Sequence, residues 1–299
     1  MKEFFVSFIL SVLFTPLLSK IALKFGIVDR PDNHLKNHGK VVPYLGGVAL
    51  YLSVLPFLKN LILLFILTGF MLLGLADDIK KLSWQFRLTI EFFLAALLVL
   101  RFSKDFLSFL FNVILTVAII NAVNMSDGLD GACAVVVSLG ILLGNFGKIG
   151  LAFVGALLGY LVFNFPPTKV HMGDAGTYLL GAFVSYMIVG RMDNPFDLKP
   201  VLLFFLPLLD LLSAVIRRIS HHKSPFKGDL DHVHHKLFRR FAGTPVVRKR
   251  KVILALGFLT VVYGVASYTR FGVLLAAVLS ILLVAYLRLF FYDEKEVFK

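Results

Sequence analysis

The chain has 299 residues, of which 58% are hydrophobic and only 16% charged, and its mean hydropathy is +0.85. These values exclude an ordinary soluble domain, because a soluble core could not bury so many long apolar runs. A single cysteine, Cys133, argues against a disulfide framework and a cysteine-based metal site. The formal charge of +13 is typical of loops on the inner side of a membrane, so no nucleic-acid partner is expected.

The apolar segments predict an all-α, polytopic integral membrane protein with about eleven transmembrane helices. They lie near residues 3–25, 44–58, 60–76, 85–102, 106–123, 132–147, 149–165, 175–191, 199–217, 251–269 and 271–291. The first run has no small-residue cleavage site, so we expect it to stay as a helix. Pro207 is expected to kink the ninth span. Residues 1–299 therefore form a single membrane-embedded domain.

The positions of Lys and Arg predict the orientation. With the N-terminus outside and the C-terminus cytoplasmic, 23 of the 31 Lys and Arg residues fall on the inner side, as the positive-inside rule requires. The unusual polar clusters then lie in cytoplasmic loops near 26–43, 77–84, 124–131, 165–174 and 218–250. We expect these loops to form an active site on the cytoplasmic side of the inner membrane.

The first polar segment runs from Asp29 to His38 and precedes Gly46 and Gly47. Lys36 and His38 face the inner side, where they could contact a phosphate or act only as loop residues. The two glycines could allow tight helix packing.

Asp77 and Asp78 end the third span. Adjacent carboxylates near lipid are costly and indicate function, and such a pair can ligate Mg²⁺ or share a proton. The alternative is a solvated helix end neutralised by the lysines that follow. Arg87 and Glu91 lie one turn apart in the next span, which predicts an i,i+4 ion pair; a phosphate contact by Arg87 is the alternative.

The richest cluster follows the fifth span, with two amides and two acids that each repeat at a spacing of three. Its members are Asn121, Asn124, Asp127 and Asp130. Gly128 and Gly131 would let the backbone approach a ligand. Hard oxygen ligands suit Mg²⁺ and a nucleotide, whereas a calcium loop is a poor fit because its terminal Glu is absent.

Asn164 and His171 precede Asp174, which sits between glycines before the eighth span. The N–H groups at a helix start can bind phosphate, and the adjacent carboxylate could hold its metal. The simpler interpretation is that Asp174 is an N-cap.

His232, His234 and His235 lie within four residues in a basic loop. Neighbouring histidines alone close a zinc site poorly, so they are better read as phosphate ligands or proton donors. Asp210, inside the ninth span, has no evident partner in the sequence.

Together these motifs resemble the polyprenyl-phosphate N-acetylhexosamine-1-phosphate transferases of the glycosyltransferase family 4 superfamily. The resemblance runs from about Gly26 to Gly243, and its five ordered motifs make it highly specific. The histidine motif and Val42-Pro43-Tyr-Leu-Gly46-Gly47 are similar to the N-acetylglucosamine branch rather than to the phospho-MurNAc-pentapeptide transferases, which remain the alternative.

The resemblance implies transfer of a sugar 1-phosphate from a UDP-N-acetylhexosamine to undecaprenyl phosphate, with release of UMP. This step initiates cell-envelope polysaccharide synthesis, requires Mg²⁺ (or Mn²⁺ in its place) and is tunicamycin-sensitive. A transporter is disfavoured because the polar clusters lie at one surface and no repeat is present. The exact sugar, a one-step or covalent mechanism, and a monomer or homodimer stay open.

The resemblance also implies residue roles. Asp174, with Asp127, would hold the metal, and Asp77 or Asp78 would deprotonate the lipid phosphate. The nucleotide and phosphate contacts would come from Lys81, Arg87, Asn121, Asn124, Asp127, Asp130 and Asn164. The three histidines would bind the diphosphate or sugar. His171, a predicted substrate-binding residue, stands where the family usually has Phe, so stacking on uracil would be by its imidazole or would come from elsewhere. Leu230 stands where an Arg commonly follows the Asp, which removes a cation that could hold phosphate or sugar.

Overall fold

The computed structural model describes residues 1–29, 41–194 and 197–293, so Lys36 and His38 lie outside the described residues. The helices of this part are α1 (Lys2–Phe25), α2 (Gly46–Val54), α3 (Leu61–Lys80), α4 (Trp84–Val99), α5 (Phe106–Met125), α6 (Ala132–Gly144), α7 (Gly147–Asn164), α8 (Gly173–Val189), α9 (Phe205–Ser220), α10 (Val233–Arg240), α11 (Pro245–Ala266) and α12 (Gly272–Leu287). A two-stranded antiparallel sheet, β1 (Val28–Asp29) and β2 (Val42–Pro43), pairs Val28 with Pro43. The prediction of a helical fold is confirmed.

Each predicted span coincides with one helix or with a helix and its adjoining 3₁₀ turn. Five segments of the described chain are long and apolar enough to cross a membrane, namely Lys2–Phe25, Leu61–Lys80, Phe106–Met125, Gly147–Asn164 and Pro200–Ser220. The helix that the sequence did not predict is α10, which lies in the expected loop 218–250. With eight mostly polar residues, it has no hydropathy signal.

Where the sequence predicts a kink in the ninth span, the structure changes from a 3₁₀ helix to an α-helix. A 3₁₀ turn, Pro200–Phe204, precedes α9, and Pro207 lies in the first turn of α9. Proline fits a first turn because the N–H groups there have no partner within the helix.

Small residues bring α1 and α7 together. A side chain at Gly155 would come within 2.2 Å of the Phe4 carbonyl oxygen, and one at Gly159 within 2.6 Å of the Phe8 carbonyl oxygen. Glycines four residues apart let two helix backbones approach closely inside a membrane. This pair is visible in the sequence as a G-x-x-x-G motif.

Glycines also let α8, which carries Asp174, pack closely against α2 and against α3, which carries Asp77 and Asp78. A Cβ atom on Gly47 would lie 2.1 Å from the backbone nitrogen of Gly176. A Cβ atom on Gly74 would lie 2.2 Å from the backbone oxygen of Asp174. The expectation that Gly46 and Gly47 allow tight packing is confirmed, and Gly74 does the same for the start of α8.

We expect Gly74→Ala to lower the free energy of unfolding by about 1–3 kcal/mol, because backbone atoms cannot yield to the new methyl group as a flexible side chain would. Gly69→Ala, in the same helix, is the matched control, since its methyl would meet only the flexible end of Leu94 at 3.1 Å. Thermal unfolding in detergent measures both. Equal melting temperatures for the two variants would contradict the close approach of α3 and α8.

Candidate active site

The acidic cluster is organised by Asp78, at the end of α3. Its Oδ1 accepts the backbone N–H of Asp174 at 2.9 Å, and its Oδ2 accepts that of Ala175 at 3.1 Å. The carboxylate thus caps the N-terminus of α8, where free N–H groups and the helix dipole favour a negative charge. A side chain at Gly173 would lie 2.5 Å from Asp78 Oδ2, so only glycine fits there. The N-cap interpretation of Asp174 is therefore wrong: Asp78 supplies the cap.

Asp77 is 3% exposed and bonded on both oxygens. Oδ1 accepts the N–H of Leu82 at 2.7 Å, and Oδ2 lies 2.8 Å from an Arg87 guanidinium nitrogen. The alternative of a solvated helix end is wrong, since the carboxylate is buried. The predicted Arg87–Glu91 ion pair is also wrong: Arg87 reaches back to the preceding helix, and Glu91 has another partner.

Asp174 lies in the first turn of α8. Its Oδ1 accepts a hydrogen bond from Asn124 Nδ2 at 2.6 Å, and the same amide donates to Thr177 at 2.9 Å. On its other side, the Asp174 carboxyl is a hydrogen-bonding neighbour of the Asp77 carboxyl. Two carboxylates this close repel each other unless a proton or a cation lies between them.

The turn between α5 and α6 adds two more acids. Burial raises the pKa of Asp127 well above its ordinary value, and the carboxylates of Asp130, Asp174 and Asp78 raise it further. Asp130 Oδ2 lies 2.6 Å from Lys249 Nζ, on α11. Sequence reasoning missed Lys249, because a basic run in an inner loop is indistinguishable from the ordinary positive-inside signal.

Two predicted nucleotide-binding amides have protein partners. Asn121 donates to Glu91 Oε2 at 2.6 Å, deeper in the bundle than the acidic cluster. Asn164 accepts the N–H of Gly131 at 2.7 Å and donates to the carbonyl of Val170 at 2.8 Å. Asn164 therefore fastens the Asp127 turn to the loop before α8. A direct nucleotide contact by either amide stays a prediction.

His171 lies at the β1–β2 edge of the site. Its Nε2 is 3.8 Å from Asp29 Oδ2, and its ring centroid is 6.2 Å from that of Tyr44. Lys81 Nζ lies 5.9 Å from the centroid of the same Tyr44 ring. His171 and Lys81 therefore both lie beside Tyr44, each three residues along the chain from an acid of the cluster, Asp174 and Asp78 respectively.

Asp210, in the second turn of α9, holds the start of the histidine helix, α10. Asp210 Oδ1 accepts the N–H of Val233 at 3.0 Å and lies 3.3 Å from His232 Nδ1, which gives Asp210 the partner that the sequence did not reveal. Asp229 pairs with Arg217 and Arg218, each at 2.8 Å. These two arginines, which the sequence analysis did not single out, supply cations beside the position where Leu230 replaces the usual Arg.

Charge distribution around α10 follows from these pairs. Burial acts to raise the pKa of Asp229, but the Asp231 N–H and the two arginines lower it to about 2. Burial lowers the pKa of His234 well below its ordinary value and that of His235 to about 4, and nearby His232 and Arg239 contribute to both shifts. His234 and His235 are therefore neutral near pH 7, and the positive charge around α10 comes from its arginines and lysine rather than from these two imidazoles.

One contact joins the histidine helix to the acidic turn. His234 is 2% exposed, and a Cβ atom on Gly128 would lie 2.4 Å from its Nε2. The structure thus brings together two groups of predicted residues. The first comprises Asp77, Asp78, Arg87, Asn124, Asp127, Asp130 and Asp174, and the second comprises His232, His234 and His235.

The donor set fits a hard divalent cation. In the described ranges, no group of three or more His, Cys, Asp or Glu residues is arranged to hold a metal ion by protein side chains alone. Mg²⁺ is commonly held by one or two carboxylates together with substrate phosphates. The carboxyls of Asp174 and Asp127 are oxygen donors without a cation partner among the described ion pairs, whereas the neighbouring Asp77 is paired with Arg87.

Comparison with known proteins places the chain in a family. A model of glycosyl transferase family 4 matches residues 60–192. The chain is 34% identical over 239 residues to the undecaprenyl-phosphate alpha-N-acetylglucosaminyl 1-phosphate transferase of Thermotoga maritima, covering 78% of this chain and 80% of the relative. The chain belongs to glycosyl transferase family 4.

Other family 4 relatives carry the same name. The Escherichia coli K12 protein is 28% identical over 275 residues, covering 78% of this chain and 74% of its own. The Salmonella typhi protein is 27% identical over 281 residues, covering 80% and 76%. Family membership and the five long apolar helices make the chain a multi-pass membrane protein. The matched range 60–192 contains the acidic cluster, while the histidine helix lies beyond it.

The lowered pKa of His235 predicts a pH-dependent stability. Between about pH 6.5 and 4 the unfolded chain binds more protons than the folded one, so stability is fully present above 6.5 and is lost as the pH falls toward 4. This residue can change the free energy of unfolding by at most about 1.4 kcal/mol per pH unit. Partial exposure of its side chain reduces that value. Thermal unfolding from pH 7.5 to 5 measures it. His235→Gln should flatten the curve, and an unchanged slope would contradict the assignment.

Proposed function

We propose that this family 4 protein transfers N-acetylglucosamine 1-phosphate from UDP-N-acetylglucosamine to undecaprenyl phosphate, releasing UMP. The observation that carries the proposal is the pair of facing carboxyls, Asp77 and Asp174, beside Arg87 at the capped start of α8. The names of the relatives support the same donor sugar and lipid acceptor. Such an enzyme begins the assembly of a cell-envelope polysaccharide on its lipid carrier.

The reaction joins two anions, which sets its electrostatic demands. An oxygen of the lipid phosphate attacks the β-phosphorus of the UDP-sugar, the bond from that phosphorus to the bridging oxygen breaks, and UMP leaves. Fixed positive charge must offset the repulsion and stabilise the phosphoryl group in transfer. In the proposed site, Arg87 and Lys249 supply it near the acidic turn, and Arg217 and Arg218 supply it near α10.

Asp174 and Asp127 would hold Mg²⁺, with Asp77 next to them, and the ion would neutralise the diphosphate and polarise its β-phosphorus. Lys81 and His171 border this cluster and would contact the phosphates and the uracil. The neutral imidazoles of His234 and His235, with His232, would donate hydrogen bonds to the diphosphate or sugar.

Asp77 is the better base of the adjacent pair. Both oxygens of Asp78 accept backbone N–H groups of α8, which ties that carboxylate to a capping role. Asp77 also has a partner on each oxygen, the Leu82 N–H and Arg87, but it is the acid of the pair whose side chain neighbours the Asp174 carboxyl, with which it can exchange a proton. We therefore assign the acceptance of the lipid phosphate proton to Asp77.

The membrane arrangement follows the charge distribution. We propose eleven spans, an outer N-terminus and a cytoplasmic C-terminus in the inner membrane, which put the active site on the cytoplasmic side. There a water-soluble UDP-sugar reaches the site from the cytoplasm, and the lipid acceptor reaches it from the bilayer.

The central test uses purified protein with Mg²⁺, undecaprenyl phosphate and a panel of UDP-sugars. We expect UMP release with UDP-N-acetylglucosamine, and a loss of at least about 100-fold in Asp174→Ala, because the variant lacks a carboxylate that stabilises charge in transfer. Asp193→Asn, at the far end of α8, is the control and should retain activity. No UMP release with any UDP-N-acetylhexosamine would refute the proposal, and preference for UDP-MurNAc-pentapeptide would move the protein to the other branch.

Asp77→Asn and Asp78→Asn separate the two adjacent acids. We expect Asp77→Asn to abolish turnover, because the amide keeps the Leu82 hydrogen bond but accepts no proton. It should also lower the melting temperature, because the Arg87 guanidinium loses its charged partner. Asp78→Asn should lower stability by about 1–2 kcal/mol, because it weakens the charged cap of α8. Turnover and thermal unfolding measure both variants. The reverse pattern would assign the base to Asp78.

A further inference from the structure

The chain beyond α12 folds back onto the histidine helix. Arg288 adopts a left-handed conformation, φ 53°, and ends α12. Leu289, which follows, is fully buried, and its carbonyl accepts a hydrogen bond from Arg217 at 2.5 Å. The carbonyl of Phe291 accepts one from Lys236 Nζ, on α10, at 2.9 Å.

Asp293 completes this contact with two ion pairs to α10. Its Oδ1 lies 2.8 Å from Lys236 Nζ, and its Oδ2 accepts from Arg239 Nε at 3.0 Å. Asp231, just before the histidines, receives the same two cations: Arg239 at 2.5 Å and Lys236 at 3.7 Å. We call Asp231, Lys236, Arg239 and Asp293 the clasp.

The burial of Lys236 shows that the clasp is a tertiary constraint rather than a surface ion pair. Lys236 is 0% exposed, so its ammonium depends on the Asp293 and Asp231 carboxylates and the Phe291 carbonyl. A buried charge is tolerated only when it is paired and hydrogen-bonded.

The clasp adjoins the histidines along the chain. Asp231 directly precedes His232, and Lys236 directly follows His235. An eight-residue helix is not stable alone, so its position must come from its tertiary contacts. Asp210 holds the first turn of α10, and Asp293 holds the side from which Lys236 and Arg239 project.

We propose that the segment Leu289–Asp293 is a positioning element for the histidine helix, in which Asp293 and Lys236 act as positioning residues for the UDP-sugar end of the site. This inference rests on the proposed function for its kinetic consequence. Its structural consequence, ordering of α10 by Asp293, can be measured without any substrate.

The test compares Asp293→Asn, which removes the charge at constant size, with Asp293→Glu and with the exposed, distant control Asp193→Asn. In Asp293→Asn we expect kcat/KM for UDP-N-acetylglucosamine to fall about tenfold through a higher KM, because the histidines that meet the sugar diphosphate are displaced. The KM for undecaprenyl phosphate should not change. Asp293→Glu should restore most of the loss, and Asp193→Asn should match wild type.

Hydrogen exchange of the 233–240 amides supplies the second readout. We expect exchange to be about tenfold faster in Asp293→Asn, with α8 unchanged, because the clasp opens locally. If Asp293→Asn does not fold, Lys236→Met replaces it with the same expectations. Unchanged exchange overturns the proposal, and so does a kinetic loss without faster exchange, which would make Asp293 a substrate contact. If wild type shows no turnover, the proposed function fails, and the hydrogen exchange of the 233–240 amides alone tests whether the clasp orders α10.

Discussion

The pair of hydrogen bonds from the first turn of α8 to the Asp78 carboxylate is the interaction on which the site depends. It ties the end of α3 to the start of α8, and Gly74 and Gly173 permit it because any side chain there would collide with Asp174 or with Asp78. In the same arrangement the Asp77 and Asp174 carboxyls are neighbours. The close packing at these glycines therefore also places acidic side chains next to each other, where their negative charges repel.

Cationic side chains of the protein neutralise only part of this acidic charge. Arg87 pairs with Asp77, and Lys249 pairs with Asp130. Asp127 and Asp174 have no cation partner among the described ion pairs, and the raised pKa of Asp127 reflects burial together with its acidic neighbours. Under the proposed function, a divalent cation with its phosphate ligands would bring the missing positive charge to these acids.

The histidine helix differs from the acidic cluster in its charge and in what holds it in place. Its imidazoles are buried beside arginines and are neutral at His234 and His235, so they offer hydrogen bonds rather than charge. The helix is too short to be stable alone. It is held by contacts with α9, with Gly128 in the Asp127 turn and with the segment after α12. Parts of the chain distant in sequence therefore converge on one short polar helix.

The sequence by itself determined the apolar segments and the helices they form, because hydrocarbon favours long apolar runs whatever their neighbours are. It also identified the acids and histidines, since polar groups at such positions are costly without a function. Only the tertiary structure decided their partners. Asp78 accepts the N–H of Asp174, 96 positions away, and Arg87 pairs with Asp77 instead of Glu91. The short helix α10 also became visible only in the tertiary structure. Hydropathy and spacing describe neighbours along the chain, whereas a cap, an ion pair or a docked short helix is set by whichever groups packing brings within hydrogen-bonding distance.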